Sequence, residues 1–447
     1  MNVLWRLSYF MLAQLYMIIL GMIMKLALAL TLSAALLMRC SAANAPETKT
    51  ASTFDSTAMD SLLSGAVERG DIIGTSALVF DEGQVVYQGA FGLGDRERNT
   101  PVNMDTVWRI YSMTKPVTSV VIMDLQEEGK LKLSDPVSKY IPELADMKVA
   151  KMGEDGKPAF EAQARPMTLE DLMLHRSGLG YGIFGPVNPV AAAYEKAGLV
   201  TPDETLETKM TKLSKLPLMF QPGEAWYYSY GIDVLGRVAE VVEGKSLGEI
   251  MEDRIFEPLG MTETGFTLRP DQVARFVSNY YVTEDGSYAL AEDGQQSLFA
   301  NTDNKFQSGG GGLVSTLGDY VKFAEMMLQG GIYKGHRVLE EATVALMMQD
   351  HMGQDKPYLQ PWLGPTQNSG FGYGGSVQIA DTSEQLALNG KSAGQWGWSG
   401  AARTEFYIDR PNDAFGIIML QFFSAQDPKI HADFRALAYE QTKGNTQ

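Results

Sequence analysis

Runs with strand character stand near both ends of this 447-residue chain, and the long stretch between them reads differently. Early on, Ser76 to Phe80 and Gln84 to Gly89 are β-rich, and Asp81-Glu82-Gly83 between them reads as a hairpin turn. Late in the chain come Gly375 to Ile379, Gly400 to Ile408 and Ala414 to Phe422, the last two joined by a turn over Asp409 to Asp413. An isolated strand cannot satisfy its backbone or bury its apolar face, so these distant segments must share a sheet. The middle is then an insertion, and its pattern is helical: Ile232, Leu235, Val238, Ala239 and Val242 recur along one apolar face.

Helices are also expected beside the sheet segments. Met59, Leu62, Leu63, Ala66 and Val67 have helical spacing, with Gly70 as a stop. A second helix runs from near Ser112 to Gly129, because Pro116 fits a helix only in its first turn. Leu317 to Gln329 turns Tyr320, Phe323, Ala324, Met327 and Leu328 inward, and a closing helix covers about Lys429 to Thr442. Gly309 to Gly312 reads as a flexible break.

The formal net charge is -17 and acidic residues are spread along the chain, so a nucleic-acid partner is not expected. His175, His336, His351 and His431 are scattered without ligand spacing, so neither a metal nor another cofactor is expected. Residues 1–45 read as a leader. Met24-Lys25, an apolar run from Leu26 to Leu37, and Ala43-Asn44-Ala45 before Pro46 form a signal peptide, with Met24 as the expected start and cleavage after Ala45. That reading makes the protein exported, periplasmic or secreted, with membrane contact only through the leader. The alternative is an uncleaved anchor formed by the apolar segments from Leu4 onward. A lipid anchor on Cys40 is disfavoured by Met38-Arg39 before it. Cleavage would remove Cys40, the single cysteine, and with it any thiol nucleophile or disulfide within 46–447.

Three separated pieces carry the chemistry. Ser112-Met113-Thr114-Lys115 places an amine one helical turn from a hydroxyl, on the same face. A serine hydroxyl needs a neighbouring base, and the start of a helix aims backbone N–H groups at a developing oxyanion. Tyr228-Ser229-Tyr230 is the second piece: a phenol titrates near pH ~10 in water and needs a cation such as Lys115 to act as a base. The third is Gly397-Trp398-Ser399-Gly400-Ala401, entering a strand whose backbone can donate to the oxyanion. It nearly matches G-x-S-x-G, but Ser399 is rejected as nucleophile because Ala401 to Ile408 reads as a strand, and the elbow requires a helix there.

Taken together these segments resemble the serine β-lactamase and penicillin-binding protein superfamily, and within it the class C β-lactamases and family VIII carboxylesterases. The resemblance runs from about Thr53 to Thr442. It includes Trp108 to Pro116, Leu133 to Val137, Leu172 to Leu179, Pro222 to Gly236, Gly309 to Thr316 and Gly397 to Asp409. It implies an α+β, β-lactamase/transpeptidase-like fold over 46–447. Its central antiparallel sheet (about 53–130 and 308–442) is flanked by helices, and a mostly helical region (about 131–307) is inserted. It also implies acylation of Ser112, with Lys115 and Tyr228 handling its proton and the N–H groups of Ser112 and Ala401 forming an oxyanion hole. His175 and Ser177 match a supporting segment. Trp398, Ser399, Gly400 and Tyr230 are the expected substrate contacts, and Tyr181, Phe184 and Trp362 are further pocket candidates.

Two departures from the β-lactamases stand out. Trp398-Ser399-Gly400 occupies the place of Lys-Thr-Gly, removing a cation for a β-lactam carboxylate, and Arg403 should face away from Trp398 on an extended strand. Tyr230 replaces an Asn suited to an amide. Both favour a small-molecule ester of small or medium size as substrate. The alternatives are β-lactamase or D-amino-acid peptidase chemistry on an amide, and a sensor that is acylated but barely turns over.

Overall fold

The computed structural model describes residues 54–443, apart from 154–157, 186–187, 202–203, 301–303, 354–358, 360–367, 381–388 and 426. The leader, its cleavage site and Trp362 lie outside the described residues.

The two ends of the chain do meet in one sheet. Its strands are β1 (Gly74–Asp81), β2 (Gln84–Asp95), β3 (Thr100–Pro101), β4 (Ser369–Phe371), β5 (Ser376–Gln378), β6 (Trp396–Ser399), β7 (Glu405–Asp409) and β8 (Ala414–Met419). Their order is β4-β5-β6-β7-β8-β1-β2-β3, every pairing antiparallel. The β1–β2 turn has Glu82 at φ 46° and Gly83 at φ 83°, the pair of positive angles that a tight hairpin requires.

β1 is buried along its whole length because both faces are covered. Alternation along a strand then sorts its residues. Leu78 and Phe80 join Phe406, Ile417 and Met419 in the inner core, while Ala77 and Val79 join Tyr407 and Ile418 in the outer one. Helices α1 (Ser56–Glu68), α2 (Thr114–Glu127), α3 (Gly231–Glu243), α4 (Leu317–Leu328) and α5 (Lys429–Lys443) divide between these layers. The outer face is covered by α1 through Met59 and Leu63, and by α5 through Phe434 and Ala438. The inner core holds α2, α3 and α4. Every residue of α2 from Thr114 to Met123 is buried, as a helix enclosed on all sides demands, and Pro116 sits in its first turn.

Two expectations need correction. The run Gly400 to Ile408 is not one strand: β6 ends at Ser399, the chain reverses over 400–403, and β7 starts at Glu405. Ala414 to Phe422 likewise divides, because Phe422–Phe423 leaves the main sheet to pair with Tyr280 and Tyr281. The inserted region is mostly helical, as expected, with two short hairpins among its helices. They are Val149–Met152 with Pro158–Glu161 and Asn279–Val282 with Tyr288–Glu292.

Candidate active site

Ser112 lies in the short turn Tyr111–Met113 that leads into α2. The turn is anchored in front by Val107–Arg109, which pairs with Val314–Thr316, and by the Ile110 N–H on the Leu313 carbonyl (3.2 Å). Tyr111 holds a left-handed φ of 41°, a strained conformation for a bulky residue. Asn279 Nδ2 donates to its phenol oxygen at 3.1 Å, and burial pushes that phenol up to about 12.

One helical turn on, Lys115 Nζ is 3.2 Å from Ser112 Oγ. The same nitrogen donates to the Gly310 carbonyl at 2.5 Å, lies 3.3 Å from Tyr181 Oη, and sits 4.5 Å from the centre of the Tyr228 ring. Lys115 is 1% exposed, so these groups, rather than water, are its surroundings. Gly309 to Gly312, expected as a flexible break, is a packed turn. A Cβ on Gly310 would strike Asp233 Oδ2, so glycine here permits close approach. Asp233 Oδ1 accepts from Ser308 Oγ (2.5 Å) and from the Gly310 N–H (3.2 Å), orienting the peptide that receives Lys115. Burial holds the Asp233 carboxyl above its ordinary range.

Tyr228 is buried at the start of the segment leading into α3. Trp398 Nε1 donates to Tyr228 Oη at 3.1 Å, and the two rings lie 5.5 Å apart. Behind the phenol, the His175 ring lies 4.7 Å from that of Tyr228. His175 Nδ1 accepts the Ser229 N–H at 3.2 Å and lies 3.1 Å from Ser229 Oγ. Burial, and then the charge of Lys115, hold the His175 imidazole well below its ordinary value, so it is neutral with its proton on Nε2. His175 is thus a support for Tyr228, as expected. Ser177 is buried beside it and accepts the Leu179 N–H at 3.3 Å.

A cavity of about 760 Å³ opens over Ser112 and Tyr228, with Trp398, Ser399, Gly400 and Ala401 along one wall and Ile183 and Phe184 among its lining. Gly400 is required by contact, since a Cβ there would lie 2.5 Å from the Ile110 carbonyl oxygen. The turn carrying Ala401 and the turn carrying Ser112 therefore touch through backbone. Among the described residues no acceptor takes the Ala401 N–H. Ser399 is followed by a reversal into β7 rather than by a helix, so it does not form a nucleophile elbow.

Two predicted placements differ from the structure. Tyr230, expected to contact substrate, is fully buried and donates its hydroxyl to the Leu199 carbonyl at 3.0 Å. It caps the start of α3, which turns its side chain into the interior, where burial raises its phenol well above the ordinary value. Arg403 is not on an extended strand: it has φ 71°, and its guanidinium binds the Asp427 carboxylate and the Ser424 carbonyl. It lines the cavity with its charge already paired. The Gly310 carbonyl, Asp233 and the indole–phenol bond had no local signal in the sequence, because each depends on segments far apart in the chain.

The chain is 30% identical to lovastatin esterase of Penicillium rubens over 399 residues, covering 84% of this chain and 96% of that one. It is 26% identical to esterase EstB of Burkholderia gladioli, covering 81% and 88% respectively. Among solved structures, EstCE1, described as a hydrolase with promiscuous acyltransferase activity, superposes with a TM-score of 0.71 at 26% identity, over 86% of this chain and 98% of that one. The Beta-lactamase family matches residues 59–440, nearly all of the described chain, and the protein belongs to that family.

Proposed function

We propose that this protein is a serine hydrolase that cleaves carboxylic esters through an acyl-Ser112 intermediate. The observation that carries the reading is the buried amine of Lys115, 3.2 Å from Ser112 Oγ and over the face of Tyr228, two residues that line a cavity walled by Trp398. A neutral Lys115 donates to the Gly310 carbonyl and Tyr181 and keeps a lone pair for the Ser112 hydroxyl. Protonated, it turns a third N–H toward that oxygen instead. One proton thus separates the activating state from the resting one. Tyr228, pinned by the Trp398 indole and backed by neutral His175, stands beside the same amine to relay the proton to the departing alcohol.

Attack of Ser112 Oγ on the ester carbonyl places negative charge on its oxygen, within reach of the Ser112 and Ala401 N–H groups. Collapse expels the alcohol, which takes the proton, and water then attacks the acyl carbonyl with the same groups acting in reverse. An indole in place of an ammonium, and an Arg403 already paired with Asp427, favour neutral acyl groups of small or medium size over carboxylate-bearing β-lactams. The ester names of lovastatin esterase and EstB support the same substrate class. An alcohol can replace water in the second step, as the acyltransferase activity named for EstCE1 illustrates. The leader pattern supports export.

The test is hydrolysis of p-nitrophenyl butyrate by wild type and Ser112→Ala, beside a chromogenic cephalosporin. Ester turnover that vanishes with Ser112, together with a far lower kcat/KM on the cephalosporin, is expected. Turnover that survives Ser112→Ala would remove the mechanism, and a preference for the cephalosporin would overturn the substrate class.

A further inference from the structure

Behind the turn that presents Ala401, on the outer face of the sheet, lies a buried charged cluster the chemistry above does not use. His431 on α5 is 2% exposed. Its Nδ1 lies 3.2 Å from the Glu405 carboxylate, and its Nε2 lies 3.0 Å from the Arg403 carbonyl oxygen. Glu405 is also paired with Arg435, one turn further along α5.

The backbone of this turn can be accounted for group by group. The Gly400 N–H donates to the Thr404 carbonyl at 2.8 Å, and the Arg403 N–H to the Gly400 carbonyl at 3.0 Å. The Phe422 N–H donates to the Ala402 carbonyl at 3.2 Å. The Arg403 carbonyl is left to the His431 side chain, at a residue whose φ of 71° is strained for anything but glycine. The carbonyl of a strained residue two positions after Ala401 is therefore met by one removable side-chain hydrogen bond.

We propose that His431 is a positioning residue for the oxyanion-binding N–H of Ala401, fixing the 400–403 turn from behind through the Arg403 carbonyl and itself held in place by Glu405. The inference rests on the acyl-serine reading. It extends that reading to α5, whose Arg435 is among the residues lining the cavity but whose His431 is not. Oxyanion donors act on the transition state and depend steeply on distance, so loss of the brace lowers kcat and leaves KM nearly unchanged.

The experiment compares wild type with His431→Leu, which cannot donate, and His431→Gln, whose amide can still reach the carbonyl. Reactive serines are counted with a p-nitrophenyl phosphonate, so that kcat is expressed per competent site and misfolded protein drops out. The expected result for His431→Leu is a fall in titrated kcat of about 10- to 100-fold with KM within about twofold, and recovery of most of that loss in His431→Gln. A titrated kcat within about twofold of wild type in His431→Leu would overturn the proposal, even if the melting temperature fell. So would a loss that appears in KM. If His431→Leu does not fold, Glu405→Gln decides by the same readout, with a lowered titrated kcat expected and an unchanged one refuting. Turnover that persists in Ser112→Ala would instead sink the acyl-serine reading, a result separate from any of these.

Discussion

Acidification from pH 7.5 to 5.5 tests whether the support behind Tyr228 is the neutral imidazole that the geometry demands. His175 is 1% exposed, its Nδ1 is occupied by the Ser229 N–H, and Lys115 stands nearby. Burial and that charge hold the native imidazole well below its ordinary value, so the native state resists protonation here. The unfolded chain, with an imidazole titrating near ~6.5, takes one up. The unfolded state therefore binds more protons, and stability falls as the pH drops below about 6.5. With no uptake in the native state, the loss between pH 7.5 and 5.5 is about 1.4 kcal/mol, one proton's worth over the window. Asp233 works in the opposite sense, because its raised carboxyl lets the native state protonate first. Glu405, held far below its ordinary value, matters only in more acidic solution. Urea unfolding of wild type and His175→Gln at both pH values cancels these common contributions. The wild type should lose about 1.4 kcal/mol more than the variant across the interval. Equal losses would mean that His175 titrates normally in the folded protein, and the neutral-acceptor role would be wrong.

Gly400→Ala puts a methyl 2.5 Å from the Ile110 carbonyl oxygen, so the Ala401 turn must move away from Ser112. A fall in kcat/KM of about 100-fold is expected in a protein that still melts cooperatively, read by kinetics alongside thermal unfolding. Tyr230→Phe removes a buried donor from the Leu199 carbonyl and should cost about 1 kcal/mol of stability while leaving kcat and KM unchanged. A large rise in KM would return Tyr230 to the substrate pocket. Trp398→Phe keeps an aromatic wall but deletes the indole N–H on Tyr228, and kcat for p-nitrophenyl butyrate should fall by about tenfold with little change in KM.

The legible part of the site was the part written in local geometry. Ser112 and Lys115 are one helical turn apart, so their contact follows from the helix that Pro116 marks. The early strands were legible because Ser76 to Phe80 is a short β-rich run ended by the turn residues Asp81-Glu82-Gly83, even though both faces of β1 are buried. Other signals were present but passed over: Asp285-Gly286 between the runs at Tyr280 and Tyr288 is a hairpin signature, and it joins the second inserted hairpin. The reversal after Ser399 carries no such mark. Arg403 occupies the left-handed position where glycine or asparagine would have announced a turn.

What could not be read was anything that depends on which surfaces meet. Composition cannot tell a glycine that gives slack from one that permits contact, and Gly310 is the second kind only because Asp233 lies against it. Tyr228 and Tyr230 look equivalent on paper, two residues apart. The start of α3 between them sends one phenol to Trp398 and the other to Leu199. Trp398 itself read as the loss of a cation, a reading that leaves out its indole N–H, which is bound to the phenol oxygen. The residue that stands in place of that cation thus also binds the phenol to which the proposed mechanism gives a proton-handling role. Selection among acyl groups and orientation of Tyr228 are then one structural property, and substitutions at Trp398 should not be able to change the first without disturbing the second.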